Sequence, residues 1–214
     1  MSKLKLEISV SVDGYVAGPN ATREEPLGVG GEKLHEWVVR LASWKKEHGY
    51  DPSEGVTGTD DDVMAEAVAS HGAVIMGKRM FCGEGGPWGD EPFQGWWGDD
   101  PPFKKPVFVL THHEREPLEL SETRFEFVTD GIESALEQAR DAAGGEDIQI
   151  SGGANVAQQY LAAGLIDEMQ IHIAPVLLGG GVRLFNGELR GPRDLRITRS
   201  IESPGVTHVR YEAA

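Results

Sequence analysis

The sequence predicts an α/β fold built on a mainly parallel sheet that ends in an antiparallel hairpin. Short apolar strand patterns alternate with amphipathic helix patterns as far as Gly164, and this alternation predicts parallel neighbours. Two strand patterns near 195–201 and 207–211 then follow with no helix between them, which predicts an antiparallel edge. For a chain of 214 residues we expect a single domain, 1–214, with loop insertions near 19–60 and 82–105.

The first half of the chain changes from strand to helix patterns and back. Leu4–Val12 carries apolar residues at every second position, which predicts a half-buried strand. From Glu32 to Lys46 apolar residues recur every three or four positions, as in an amphipathic helix. Asp60–Ser70 predicts a second helix, because three aspartates fill its first turn, where the helix dipole favours negative charge. The wholly apolar run Ala73–Met76 predicts a strand that is buried on both faces.

The second half repeats this alternation with shorter elements. Four strand patterns lie at 106–110, 125–128, 148–150 and 169–173. Asp130 is predicted to cap a helix that Gly144-Gly145 ends. Another helix is predicted to start after Ser151–Asn155 and to end at Gly164.

Composition narrows the classes of partner. The formal net charge of −15 predicts repulsion from phosphate backbones and anionic lipid, so we expect neither nucleic acid nor a membrane as partner. Cys82 is the single cysteine, which excludes an internal disulfide and favours a reducing, cytoplasmic setting. The adjacent pair His112-His113 lacks a third ligand nearby, so we expect no metal site.

Three turns that follow predicted strands carry candidate binding residues. Gly152-Gly153 stands between a strand and a helix, where backbone N–H groups and the positive end of the helix suit a phosphate. Gly77-Lys78-Arg79 offers two cations at a strand end, and Leu110-Thr111-His112 offers a hydroxyl and an imidazole. Each turn alone is equally consistent with a tight turn or a solvated surface loop. Because parallel strands bring their carboxyl ends to one edge, the three together predict a dinucleotide-sized site.

The order of these and other motifs resembles the dihydrofolate-reductase-like superfamily, and most closely the reductase-domain branch of riboflavin biosynthesis. The motifs that carry the resemblance cover nearly the whole chain. They are Ser11–Ala17, Val74–Phe81, Val107–Thr111, Ile150–Val156, Ile166–Glu168 and Pro175–Phe185. The resemblance implies a dihydrofolate-reductase-like three-layer α/β/α fold, an NADPH-dependent reductase and a homodimer. The chain lacks the His/Cys zinc signature of the deaminase partner domain, so we expect a stand-alone reductase.

The resemblance also implies which residues bind NADPH. In chain order they are Val16, Ala17, Gly77, Lys78, Arg79, Leu110, Thr111, His112, Gly152, Gly153, Ala154, Asn155 and Val156. The first two would lie near the nicotinamide and the next three at the adenosine-side phosphates. Residues 110–112 would line the adenine and its 2′-phosphate, and residues 152–156 would cradle the pyrophosphate.

The substrate side is less well defined. The implied substrate is a small heterocycle or a ribitylaminopyrimidine-like compound, and Asp13 is the candidate proton donor because it follows the first strand. Asp13 has a second interpretation, in which its carboxylate holds the Asp13-Gly14 turn. The aromatic segment 82–105 is either a lid over a flat ring or an anchored loop. The alternative function is a non-catalytic nucleotide-binding or sensing module on the same fold.

Overall fold

The computed structural model describes residues 2–83, 85–89, 93–187, 189 and 191–213. The strands of this part of the chain are β1 Leu4–Ser11, β2 Tyr15–Ala17, β3 His71–Gly77, β4 Pro106–Leu110, β5 Leu118–Leu120, β6 Thr123–Val128, β7 Asp147–Gly152, β8 Glu168–Ala174, β9 Val182–Arg183, β10 Leu195–Glu202 and β11 Thr207–Ala213. Its α-helices are α1 Ala42–Glu47, α2 Thr59–Ala69, α3 Lys78–Cys82, α4 Ile132–Ala142 and α5 Ala154–Ala163. Short 3₁₀ turns at Gly31–Leu34 and Pro52–Glu54 complete the inventory.

One nine-stranded sheet runs through the molecule in the order β10-β11-β8-β1-β7-β3-β4-β6-β5. The six strands from β8 to β6 are parallel, while β5 and the β10–β11 hairpin are antiparallel to their neighbours. This confirms the predicted α/β class with its antiparallel C-terminal edge. A separate small sheet pairs β2 with β9.

Helices and loops cover both faces of the sheet, which explains the wholly apolar central strand. Residues 73–76 of β3 are fully buried, as predicted. One face packs on α4 and α5, and the other packs on α3 and the aromatic segment. The longest described helices, α2 and α4, have 11 residues. Among the described residues no helix is long and apolar enough to cross a bilayer.

The expectation of a half-buried β1 is wrong, because its polar face is also covered. Ser9 and Ser11 are only 7% and 2% exposed. The turns between the 3₁₀ turn at Gly31–Leu34 and α1 cover this face. They include Trp37, whose indole Nε1 donates to Ser9 Oγ at 3.1 Å. Alternation therefore marks a polar buried face here, rather than a face turned to water.

The predicted helix over 32–46 is mostly replaced by successive turns. Leu41 is extended, with φ −75° and ψ 148°, and forms a bridge with Val56. The Ala42 N–H donates to the Val56 carbonyl at 3.0 Å, which a continuous helix would forbid. A helix therefore forms only over 42–47, while Trp37 and Val38 reach the core from turns. Apolar residues spaced three and four positions apart are compatible both with a continuous helix and with successive turns.

The expected cap of α4 is also wrong. Gly131, with φ 94°, occupies the N-cap position, and no side-chain hydrogen bond caps the helix there. Asp130 precedes this position by one residue. Glycine replaces the side-chain cap because the chain enters α4 with a positive φ, which a residue with a Cβ rarely adopts.

Candidate functional site

The three predicted binding turns meet at one edge of the sheet, which we call the carboxyl edge. It consists of the carboxyl ends of β1, β7, β3 and β4, which are neighbours in that order. Met76 is paired with Gly152 across β3 and β7, and Gly77 is paired with Leu110 across β3 and β4. The structure therefore brings the turns after β3, β4 and β7 together, as the parallel arrangement predicts.

The Gly152-Gly153 turn places backbone at the start of α5. Gly152 has φ 124°, and a Cβ there would lie 2.8 Å from Met80 Sδ. Gly153 is the N-cap residue of α5, has extended backbone, and makes no side-chain cap hydrogen bond. A Cβ on Gly153 would meet nothing within 4 Å among the described residues. The peptide that joins the two glycines is cis. Space therefore opens beside Gly153, at the positive end of a ten-residue helix.

Gly77 lies against this turn from the neighbouring strand. A Cβ on Gly77 would lie 2.9 Å from Val156 Cγ2 and 3.9 Å from the Gly153 nitrogen. Its backbone, with φ −92° and ψ 155°, suits any residue. Glycine is therefore required for close packing of β3 against the start of α5.

The two cations after Gly77 have different environments. Lys78 is 8% exposed, and its ammonium lies 4.2 Å from the Trp88 ring centroid. Its side chain is thus packed against the aromatic segment rather than solvated. Arg79 is exposed in the first turn of α3, and its guanidinium lies beside Gly85. Arg79 is therefore the better placed of the two to meet a mobile anion from solvent.

Thr111 organises the turn that follows β4. Its backbone N–H donates to the Val128 carbonyl at 3.0 Å, and its Oγ1 accepts from the His113 N–H at 3.2 Å. Thr111 is buried, Leu110 is half-buried and His112 is exposed. His112 is the member of this turn with a side chain open to solvent.

Val16 and Ala17 lie in β2, which β9 holds in place beyond the end of β1. Tyr15 pairs with Arg183, and Ala17 pairs with Val182. A Cβ on Gly181 would overlap the Ala17 carbonyl, so the two short strands touch through backbone. The predicted nicotinamide-side residues are therefore half-buried in a rigid corner of the carboxyl edge.

Asp13 acts as the acceptor that ties this corner together. Its carboxylate accepts from the Ser11 hydroxyl at 2.6 Å, from the Gly179 N–H at 2.7 Å and from the Leu178 N–H at 3.1 Å. These bonds, that of Ser11 foremost, lower the pKa of Asp13 to about 2. An ionised carboxylate has no proton to give at neutral pH, so the contacts favour the turn-holding interpretation of Asp13 over the proton donor.

Arg183 is a residue of the carboxyl edge to which sequence reasoning assigned no role. Its guanidinium lies 4.4 Å from the Tyr15 ring centroid, and its Nη2 donates to the Tyr15 hydroxyl at 3.0 Å. Its Nη1 donates to the Asp13 carbonyl at 3.1 Å. The pairing of β2 with β9 brings the Arg183 guanidinium to the carboxyl edge, and no local sequence motif predicts that pairing.

The aromatic segment is an anchored loop in the part that the structure describes. The Trp88 indole donates to the His113 carbonyl at 2.9 Å, and the Trp96 indole donates to the Met80 carbonyl at 2.9 Å. Trp97 packs edge-on against Phe103, with ring centroids 4.8 Å apart. Trp88, Trp97 and Phe103 pack against buried core residues that include Phe81 and Phe125, so the observed arrangement favours an anchor over a lid. Residues 84 and 90–92 of the 82–105 segment lie outside the described residues.

Solved structures of other proteins share this fold. A protein of Shewanella sp. PV-4 assigned to riboflavin biosynthesis is similar over 99% of both chains, with a TM-score of 0.62 and 24% identity. A pyrimidine reductase-like protein of Corynebacterium diphtheriae matches with a TM-score of 0.56 and 14% identity, over 100% of this chain and 92% of that one. The fold is therefore the dihydrofolate-reductase-like α/β fold.

The sequence itself places the chain in a family. Residues 2–207 match the family model described as the RibD C-terminal domain, so the chain belongs to that family. The protein YyaP of Bacillus subtilis, named as uncharacterized, is 24% identical over 189 residues, which cover 86% of this chain and 80% of that protein. A deaminase/5-amino-6-(5-phosphoribosylamino)uracil reductase of Thermotoga maritima shares the fold, with a TM-score of 0.58 and 13% identity. This chain covers 57% of that longer protein. Membership indicates a reductase of the riboflavin-biosynthesis type.

Proposed function

We propose that this protein is an NADPH-dependent reductase that transfers a hydride to a small heterocyclic, ribitylaminopyrimidine-like substrate. The observation that carries the proposal is the side-chain-free corner at Gly77, Gly152 and Gly153, beside the N-terminus of α5. Backbone N–H groups and a helix dipole stabilise phosphate at such a corner without any cation from the protein. The strongly acidic chain therefore has a local means of binding an anionic cofactor.

The turns of the carboxyl edge would divide the cofactor among them. Residues 152–156 would hold the pyrophosphate, and Arg79 with His112 would meet the adenosine-side phosphates. Leu110 and Thr111 would border the adenine, and Val16 with Ala17 would border the nicotinamide. When bound, NADPH supplies the hydride, while the protein orients it and excludes water. Because Asp13 is ionised, the proton must come from water or from another group.

NADPH binding to the purified protein tests the proposal, measured by thermal shift and titration calorimetry against NADH. Gly153→Leu is the informative variant, because a side chain there finds open space in the protein and would occupy the phosphate site. Gly180→Leu is the matched control, since Gly180 is equally open and belongs to no predicted contact. We expect Gly153→Leu to retain the melting temperature and lose the NADPH-induced shift. Equal NADPH affinity in both variants would refute the phosphate assignment.

The alternative, a non-catalytic nucleotide-binding module, is favoured by one observation, the loss of Asp13 as a proton donor. A turnover assay distinguishes this module from a reductase. NADPH oxidation in the presence of ribitylaminopyrimidine-like compounds supports the reductase. Tight NADPH binding with no oxidation over such a panel supports the module.

We also infer a homodimer. β10 is an edge strand whose Leu195 and Ile197 are 46% and 60% exposed, although both are apolar. An exposed edge strand of this kind is a template for pairing with another chain. Sedimentation of the wild type beside Ile197→Lys is the test. The inference requires a dimer that the lysine weakens.

A further inference from the structure

Four polar side chains form a buried hydrogen-bonded line across the sheet, which we call the histidine chain. Asp60 Oδ1 lies 3.0 Å from His208 Nε2, the two Nδ1 atoms of His208 and His172 are 2.6 Å apart, and His172 Nε2 lies 3.0 Å from Glu7 Oε1. The side chains of His172 and His208 are 3% and 1% exposed. No step of the proposed reductase uses these residues.

Strand register explains how the line is assembled. His208 of β11 is directly opposite His172 of β8, and His172 is opposite Ser9 of β1. Because side chains alternate between faces, Glu7 lies on the same face as Ser9, one step diagonally from His172. Asp60 comes from the first turn of α2, which packs over this face.

Trp37 closes the histidine chain from above. Its ring centroid lies 4.7 Å from that of His172 and 5.1 Å from that of His208. Its indole N–H is bonded to Ser9. The chain thus joins α2 and the Trp37 turn to three neighbouring strands, with water excluded from both imidazole rings.

The number of protons in the histidine chain follows from its three hydrogen bonds. Each bond needs one proton between its two heavy atoms, so the line holds three protons. Two neutral imidazoles bring only two. The third makes one ring an imidazolium, or an equivalent neutral carboxyl, and leaves the four groups with a total charge of −1.

Neighbouring groups decide where the third proton resides. Burial lowers the pKa of His208, against the opposing effect of its hydrogen bond to Asp60, and this favours His208 as the neutral acceptor of the Nδ1–Nδ1 bond. His35 lies in the turns that also carry Trp37. Burial lowers its pKa, and the nearby His172 lowers it further. From α1, burial raises the pKa of Glu47 to about 7, and the charge of Glu7 adds to this rise.

Further along the same face the charged groups already have partners. Arg210 of β11 donates through Nη2 to Glu66 of α2 at 2.8 Å and through Nε to Gln170 at 2.9 Å. Glu168 lies 3.5 Å from Arg210 Nε and 3.4 Å from Lys3 Nζ. These contacts supply no proton to the histidine chain.

We propose that the histidine chain is a one-proton latch that fastens α2 and the Trp37 turn to the sheet and releases them when the shared proton is lost. Without that proton, two nitrogen lone pairs face each other at 2.6 Å, or one carboxylate loses its donor. With a fourth proton, two N–H groups collide. The latch is therefore closed only over an intermediate range of pH.

The direction of the pH effect follows from the proton numbers. Unfolded histidine has a pKa of about 6.5, so above that pH the unfolded chain lacks the third proton that the folded chain retains. Stability then falls as pH rises, by up to about tenfold in the folding constant per pH unit, until the folded latch also loses the proton. Below about pH 6.5 the unfolded chain binds the extra proton instead, and the trend reverses.

The proton number can be measured directly on the wild type by ¹⁵N NMR of the histidine rings at pH 7. We expect one imidazolium and one neutral ring, with three N–H protons between them and one strongly deshielded shared proton. Two neutral rings without a shared proton would overturn the proposal. This readout needs neither NADPH nor activity, so it stands apart from the proposed function.

Release of the latch can be measured by stability and by amide exchange from pH 6.5 to 9. We expect the folding constant of the wild type relative to His208→Gln to fall across this range, and exchange over residues 31–69 to accelerate beyond its intrinsic pH dependence. Exchange in α4 is the internal control. His71→Gln is the matched control variant, because burial lowers the pKa of His71 to about 4 and places its titration below this range. A constant ratio, or equal acceleration in α4, would refute the latch.

Discussion

At the scale of single residues, the same amino acid serves different purposes at neighbouring positions of the carboxyl edge. Gly77 is required by a close contact with Val156, Gly152 by its positive φ, and Gly153 by neither. The sequence marks all three as turn residues and cannot separate them, because the distinction lies in what packs against each one. This difference predicts opposite outcomes for identical substitutions.

Gly77→Val should destabilise the fold, whereas Gly153→Val should not. The added side chain at Gly77 meets the stiff, branched Val156 at the start of α5, and overpacking of this kind costs about 2–3 kcal/mol. Urea unfolding at pH 7 measures both variants. If the two lost equal stability, the close approach of β3 to α5 would not be the reason for glycine at position 77.

Asp13→Ala should loosen the chain around Leu178 and Gly179. The variant loses the acceptor for both N–H groups and for the Ser11 hydroxyl, while Asp13→Asn retains one acceptor oxygen. We therefore expect faster amide exchange at these two positions, with a larger effect for alanine than for asparagine. Because the pKa of Asp13 is about 2, neither variant should shift the pH dependence of NADPH binding between pH 5 and 9. A shift would restore Asp13 as a titrating group of the site.

At the scale of elements, local pattern predicts strands better than it predicts what covers them. Most strands and helices after residue 70 lie where the periodicity places them, because each has its own apolar face. The short elements α3, β5 and β9 are not predicted. The helix predicted over 32–46 does not form as a continuous helix, because tertiary contacts decide the backbone there. Leu41 forms a bridge with Val56, and a Cβ on Gly55 would overlap Ala42. The histidine chain escapes sequence reasoning for the same reason. Its one local signal is polar alternation shared by β1 and β8.

The aromatic segment yields a prediction that distinguishes an anchor from a lid. Trp88→Ala should lower the free energy of unfolding by about 2–4 kcal/mol, because the ring packs on Phe81 and Phe127 and carries the Lys78 ammonium. Trp88→Phe should cost about 1 kcal/mol, through loss of the hydrogen bond to the His113 carbonyl. Denaturant unfolding gives both values. A lid would instead show unchanged stability and altered ligand kinetics.

At the scale of the whole molecule, strand order could be anticipated in outline and the distribution of charge could not. Alternating strands and helices indicate a parallel sheet whose carboxyl ends share an edge, and the binding turns are indeed neighbours. A net charge of −15 indicates a solvated acidic surface, yet some of these acids are built into the interior. Glu7, Asp60 and Glu47 acquire environments that only the folded chain creates.

Glu47 therefore links global stability to pH in a predictable direction. Burial raises its pKa from 4.5 to about 7, so the folded chain retains a proton that the unfolded chain releases. Above pH 7 both states are ionised, and the folded state carries the penalty of a partly buried carboxylate. A shift of this size corresponds to roughly 3 kcal/mol. The attraction of Lys105 opposes this rise and is already included in it. Solvent screening of the partly exposed carboxylate reduces the expected gain from removing it to about 2 kcal/mol.

Glu47→Gln should accordingly be more stable than the wild type at pH 8 by about 2 kcal/mol, and the difference should vanish as pH falls to about 4.5. Thermal and urea unfolding across this range measure the difference, with Glu54→Gln as the control, since Glu54 is exposed in the neighbouring turn. This dependence is opposite in sign to that of a salt-bridged surface acid, which stabilises the folded state at high pH. A variant that is less stable at pH 8 would show that Glu47 is held by its attraction to Lys105 rather than penalised by burial.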